Sequence, residues 1–183
     1  MKKILWFSVI ALFVSSLQAQ DSPGIKKHLF GLQGGTYSFS ADSRWGVFNG
    51  FTYDYAINNH ITIGLITQNA FAEHIKDTVL PPDFDSRMAG GLTCGGSLYG
   101  LDSPFDLTFQ TGLLYGRTVR VRMNDWVPPY YNVTKTQGVV ALIGVGGVYR
   151  HKDWSFGVNN QSTFDMITQD IRTAWVFNVQ RKF

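Results

Sequence analysis

The closing stretch AWVFNVQRKF, residues 174–183, decides how the chain is read. Trp175, Phe177, Val179 and Phe183 fall on one parity, interrupted by Arg181, while Asn178, Gln180 and Lys182 fall on the other. Apolar and polar side chains that alternate with period two describe a strand with two unlike faces. Chain ends are ordinarily frayed and polar. A strand that stays amphipathic to a terminal Phe must have a use for its apolar face.

The same grammar recurs upstream. VFNGFTYDYAI sets Val47, Phe51, Tyr53, Tyr55 and Ile57 against Gly50, Thr52, Asp54 and Ala56. FDLTFQTGLLY sets Phe105, Leu107, Phe109, Leu113 and Tyr115 against Asp106, Thr108, Gln110 and Gly112, and WSFGVNNQSTF sets Trp154, Phe156, Val158 and Phe164 against Ser155, Gly157, Asn159, Gln161 and Thr163. HITIGLITQNAF and RMAGGLTCGGSLYG alternate more weakly, KHLFGLQGGTYSFS is irregular enough for a bulge, and TQGVVALIGVGGVYR is nearly apolar on both parities. The pattern predicts eight strands, at about 27–40, 47–57, 60–74, 86–99, 105–120, 136–150, 154–165 and 171–183. Asn58-Asn59, GLDSP and HKD make tight turns on one side; ADSRW, IKDTVLPPDFD, RMNDWVPPYYNVTK and MITQD connect on the other, two of them long. The expected fold class is all-β, an eight-stranded antiparallel up-and-down transmembrane barrel with short periplasmic turns and longer external loops.

Composition agrees with a surface that does not wholly face water. Of the 183 residues 44% are hydrophobic and 15% aromatic, too apolar for disorder, and only 16% are charged. Lys2 and Lys3, the run ILWFSVIALFV and small Ala19 read as a signal peptide over residues 1–19, leaving 20–183 as the barrel domain. That run is too short to span a bilayer, which takes about twenty residues. No other stretch suits a spanning helix, so a membrane-resident chain must close its strands into a barrel to satisfy every backbone group in lipid. A single cysteine, Cys94, excludes an internal disulfide and is read as a small lipid-facing residue. The net charge of +3, contributed in part by the signal, gives no reason to expect nucleic acid as a partner.

Alternation alone also fits a soluble, ligand-holding barrel with its apolar side inside. Glycines on the polar parity (Gly50, Gly91, Gly95, Gly112, Gly116, Gly157) favour that parity as the crowded lumen of a narrow barrel. Tyr55, Tyr115, Tyr149, Trp154, Phe105 and Phe183 near strand ends suit interfacial aromatic girdles. With the signal, the eight segments and the terminal strand, the chain resembles the small eight-stranded bacterial outer-membrane barrels of the OmpA and OmpX transmembrane type. That resemblance implies a bacterial outer-membrane location among lipid and lipopolysaccharide. It also implies that Trp175, Phe177, Val179 and Phe183 form the signal read by the barrel-assembly machinery. Arg181 departs from the usual pattern of the family, which has an apolar residue there.

The inner parity carries Asp54, Asp106, Arg150 and Lys182 toward the periplasmic end and Arg120, Asp165 and Arg172 toward the outer end. Buried charges are costly unless paired, so two clusters are expected, forming a solid polar core in preference to a gate or narrow small-solute channel. Arg117, beside Tyr115 on the outer parity, is a candidate contact for lipopolysaccharide phosphates. Trp126, Tyr130 and Tyr131, stiffened by Pro128-Pro129, make a candidate contact surface in a loop at about 126–131, with a second loop at 75–85. Asn132-Val133-Thr134 matches a glycosylation sequon of little weight in a bacterial chain.

Lipid A-modifying enzymes occur among such barrels, and His74, Asp85 and Ser86 are the residues from which an acyl-transfer trio would be assembled. No His-x-Ser occurs, and His28, His60 and His151 fall on the periplasmic side. Neither a metal nor a cofactor is expected, because no His or carboxylates show a ligand spacing. The expected role is non-enzymatic, in envelope integrity, adhesion or surface interaction through the outer loops.

Overall fold

Eight strands pair in chain order: β1 (His28–Phe39), β2 (Arg44–Ala56), β3 (Ile61–His74), β4 (Asp83–Ser97), β5 (Phe105–Met123), β6 (Tyr131–His151), β7 (Trp154–Asp165) and β8 (Ile171–Lys182). The computed structural model describes residues 27–39, 44–74, 83–123, 131–166, 169 and 171–183. All ladders are antiparallel, and β8 returns to β1 from Leu29↔Lys182 to Tyr37↔Ala174, closing the barrel. Closure removes both sheet edges along the paired length, so the backbone groups there have partners without water.

Side-chain direction follows the alternation. Phe51 is 64% exposed, Leu92 68%, Phe109 52% and Phe177 60%, whereas Asp106 is 4% exposed and Asn178 7%. The apolar parity therefore points out of the barrel, which excludes a soluble barrel folded round an apolar centre. The lumen is nevertheless less polar than the sequence suggested. Tyr37, Phe48, Ala70, Ala72, Ala174 and Val176 pack together inside, as do Ile66, Ala89, Leu114, Val140 and Leu142. Phe48 and Val176 lie on the inner parity beside Gly50 and Asn178; a narrow lumen is filled by volume as well as by hydrogen bonds.

Four strands reach farther than their alternation indicated, and all grow at the same end. β4 starts at Asp83, β5 runs to Met123 and β6 starts at Tyr131. β2 likewise begins at Arg44. The ladder there continues from Phe84↔Val121 to Met123↔Tyr131 with polar and apolar side chains on both faces. Period two reports a one-sided apolar surround, and beyond the lipid that surround ends while the hydrogen bonds continue. The sequon residues Asn132, Val133 and Thr134 thus lie on β6, and Asp85, expected at the end of the 75–85 loop, lies on β4 beside Ser86. β1 pairs one-to-one with β2 from His28↔Tyr55 to Phe39↔Arg44, so the expected bulge is absent.

The opposite end holds the C-terminus and the tight turns. Asn58 Oδ1 accepts from the amides of His60 and Ile61, both at 2.8 Å, which fixes the β2–β3 turn. Gly100 has φ +94°, a conformation that a side chain would strain, and lets the β4–β5 turn fold Leu101 against Leu29 and Ala56 in the barrel mouth.

Candidate functional site

The lumen is crossed by hydrogen-bonded side chains at three levels. At the end with tight turns, Arg150 Nη2 donates to Asp106 Oδ2 at 2.8 Å, with side chains 7% and 0% exposed. The same Asp106 accepts from Ser97 Oγ and from the Tyr99 amide at 2.9 Å. Arg150 Nη1 also donates to the carbonyls of Gly100 (3.2 Å) and Ser103 (3.3 Å). Each partner thus satisfies more than the other's charge, the condition under which a buried pair holds. Asp54 instead accepts from Gln180 Nε2 at 2.9 Å, and Lys182 Nζ turns to the Leu101 carbonyl, 3.9 Å from Asp102. Asp54, Asp106, Arg150 and Lys182 share one end of the barrel, where Asp106 pairs with Arg150 and Asp54 with Gln180.

At mid-height an amide chain spans the interior. Gln68 Nε2 donates to Gln161 Oε1 at 2.9 Å, and Gln161 Nε2 donates to Gln110 Oε1 at 3.1 Å, linking β3, β7 and β5. Below it, Thr52, Asp54, Gln110, Arg150, Asn159 and Gln180 are among the residues lining a cavity of about 80 Å³, room for a few waters.

At the other end, Arg87 Nη1 donates to Tyr37 Oη and to Thr163 Oγ1 (3.1 Å), with its guanidinium 5.6 Å from the Tyr37 ring centre. Arg172 Nη1 donates to Thr118 Oγ1 at 3.2 Å, and Asp165 is buried on the same side. Arg120 turns toward Asp85, Nε to Oδ1 3.9 Å, where Arg122 Nη2 also meets Asp85 Oδ2 at 3.0 Å. Sequence reasoning missed Arg87, Tyr37 and Asp85 as inner residues. Arg87 shares its parity with Gly91 and Gly95, which were read as facing the lumen, so the signal was present but diluted by glycine. Nothing local distinguishes Tyr37 from a girdle tyrosine.

Outside, Phe105, Tyr115, Tyr149, Trp154 and Phe183 are exposed, and Tyr55 is half-buried. Trp175, Phe177 and Val179 line the outer face of β8. Phe183 packs edge-on against Phe30 at 5.6 Å. Cys94 is half-buried on β4, opposite Ile63 and Thr111. Arg117 is exposed, opposite Met88 and Gln137. Tyr131 opens β6 and is 45% exposed; Trp126, Tyr130, residues 1–19 and most of the 75–85 loop fall outside the described residues.

No family model matches the chain, and no curated protein matches it by sequence. Solved structures do. The N-terminal β-barrel domain of OprF from Pseudomonas aeruginosa superposes with a TM-score of 0.60 at 12% identity, covering 86% of this chain and 98% of that one. Neisserial surface protein A gives 0.61 at 10%, covering 87% and 98%, and Ail of Yersinia pestis 0.55 at 11%, covering 87% and 100%. At such identities the likeness carries the fold. The chain is an eight-stranded barrel of the outer-membrane kind. Its exposed apolar belt belongs in hydrocarbon, and the protein sits in the bacterial outer membrane, where barrels of this kind carry their short turns on the periplasmic side. His28, His60 and His151 are then at the periplasmic end, and the Arg87 and Asp85 clusters near the outer one.

Of the imagined acyl-transfer trio, the strand register turns Asp85 and Ser86 to opposite faces of β4. Asp85 is 1% exposed and held by two arginines, while Ser86, next in the strand, faces the other side.

Proposed function

We propose that the barrel is a non-enzymatic surface-interaction protein, with its filled lumen serving as a rigid stave and the β5–β6 hairpin as the contact element. Arg117 and its diagonal neighbour Lys135 sit on one outward face at the hairpin base and are suited to lipopolysaccharide phosphates. The filled lumen favours this reading over a solute channel.

One observation carries the proposal. β6 has 21 residues, against about 9–11 needed to cross a bilayer, and β7 pairs with it only from Val140 onward. Among the described residues, Tyr131–Gly138 pairs with β5 alone. The Val139 carbonyl accepts from the Met166 amide at 3.1 Å on the β7 side. By the two-residue period of an antiparallel ladder, Tyr131, Val133, Lys135 and Gln137 present their backbone groups on that same edge. An exposed strand edge accepts an extended segment of another protein by strand addition. Ail, whose fold this chain shares, has also been solved with the heparin analogue sucrose octasulfate, so sulfated glycan is a second probe.

The test uses vesicles bearing the barrel, flowed over immobilised host-surface protein and over heparin. Val133→Pro/Gln137→Pro removes two edge N–H donors without touching the β5 ladder. Capture by a protein surface is expected to weaken about tenfold, with heparin capture unchanged; Arg117→Gln/Lys135→Gln should do the reverse. Capture insensitive to both double substitutions would refute the hairpin as the contact element.

A further inference from the structure

Arg181 stands on the outward parity of β8, among apolar neighbours, at the periplasmic edge of the belt. It is opposite Trp154 on β7 and Phe30 on β1. Its guanidinium lies 5.5 Å from the Trp154 ring centre and 5.0 Å from that of Phe183, within cation–π reach of both girdle rings. Among the described residues no carboxylate pairs with it. These two ring contacts position the guanidinium and leave its N–H groups for an acceptor. At the depth of an aromatic girdle, the acceptors that lipid supplies are headgroup phosphates.

Toward the middle of the belt from that cation, two strands across, the outer surface is notched. Gly147 faces outward on β6, opposite Leu107 and Val158. A Cβ added there would meet nothing nearer than the Asp106 carbonyl at 4.0 Å. Tyr149, Phe156 and Val179 help to wall a groove of about 720 Å³ over it. Val179 pairs with Phe156, and two residues on Arg181 pairs with Trp154, so the groove opens about 7 Å from the cation along the strand.

We infer that Arg181 and the groove over Gly147 form a binding site for one phospholipid of the periplasmic leaflet, its phosphate on the guanidinium and one acyl chain in the groove. The site rests on the barrel lying in a membrane and is independent of the hairpin's role. It also accounts for the one charged residue in the outward row of the terminal strand: Arg181 is sited to read a headgroup.

The test is native mass spectrometry of the delipidated, folded full chain titrated with phosphatidylglycerol, with diacylglycerol of the same chains, and with inorganic phosphate. Wild type should retain one phosphatidylglycerol at concentrations about tenfold below those needed by Arg181→Gln. It should retain diacylglycerol and free phosphate no better than that variant does. Gly147→Leu, which fills the groove without a backbone clash, should weaken retention by a similar factor. Folding of each variant is checked by gel mobility before and after boiling; should Arg181→Gln not fold, Arg181→Lys, which keeps charge but loses the fork, serves in its place. Equal retention by wild type and the Arg181 variant overturns the site. So does a response to Arg181 with none to Gly147, since that describes an anion contact without an acyl groove.

Discussion

Phe177→Arg is expected to destabilise the folded barrel in phospholipid vesicles by about 2–4 kcal/mol, the cost of a lipid-facing arginine near the bilayer midplane. Phe177 is 60% exposed, with Gly34 and Val158 as its register partners in the middle of β8. In water such a substitution would be close to neutral, because an exposed Phe gains little from folding and an exposed Arg loses little. The sign therefore depends on what lies outside the barrel. Val133→Arg is the control: Val133 is 50% exposed on the raised part of β6, and there the cost should fall below about 1 kcal/mol. Equilibrium unfolding in urea, followed by tryptophan fluorescence, reads both. Equal costs at the two positions would contradict a hydrocarbon surround for β8.

The second large effect is inside. Asp106→Ala should cost about 3–5 kcal/mol, the loss typical of leaving one member of a buried ion pair uncompensated. Arg150 would keep only the Gly100 and Ser103 carbonyls, and the Tyr99 amide and Ser97 hydroxyl would lose their acceptor. Asp106→Leu/Arg150→Met removes both charges and should cost less than Asp106→Ala alone. A double variant as damaging as the sum of its single substitutions would show that the two residues act independently, against the pairing drawn here.

How much of this was legible in the sequence depends on where each residue stands relative to lipid. Within the belt, the hydrocarbon outside and the crowded lumen inside impose opposite demands on alternate positions. Phe105–Tyr115 and Trp154–Phe164 could therefore be read without ambiguity. Above the belt the demand on the outer face lapses, and β4, β5 and β6 outran their alternation to Asp83, Met123 and Tyr131. Parity assigned Asp54, Asp106, Arg150 and Arg172 to the interior, but it could not choose partners. Register and the closure of β1 on β8 bring Gln180 to Asp54 and Tyr37 to Thr163, residues more than a hundred positions apart in the chain. The Gln68–Gln161–Gln110 chain escaped notice for the same reason, since no local signal marks amides that meet only when the barrel closes. Arg181 breaks the terminal pattern in the sequence, and only the fold brings its guanidinium over the Trp154 and Phe183 rings.

The central claim is that the apolar parity faces hydrocarbon around a filled interior. Spin-label scanning of residues 174–180, one cysteine at a time in a chain with Cys94 replaced, tests it most directly. In lipid vesicles, oxygen accessibility should peak at Trp175, Phe177 and Val179 and drop at Ala174, Val176 and Asn178. An inverted or flat profile would contradict the account.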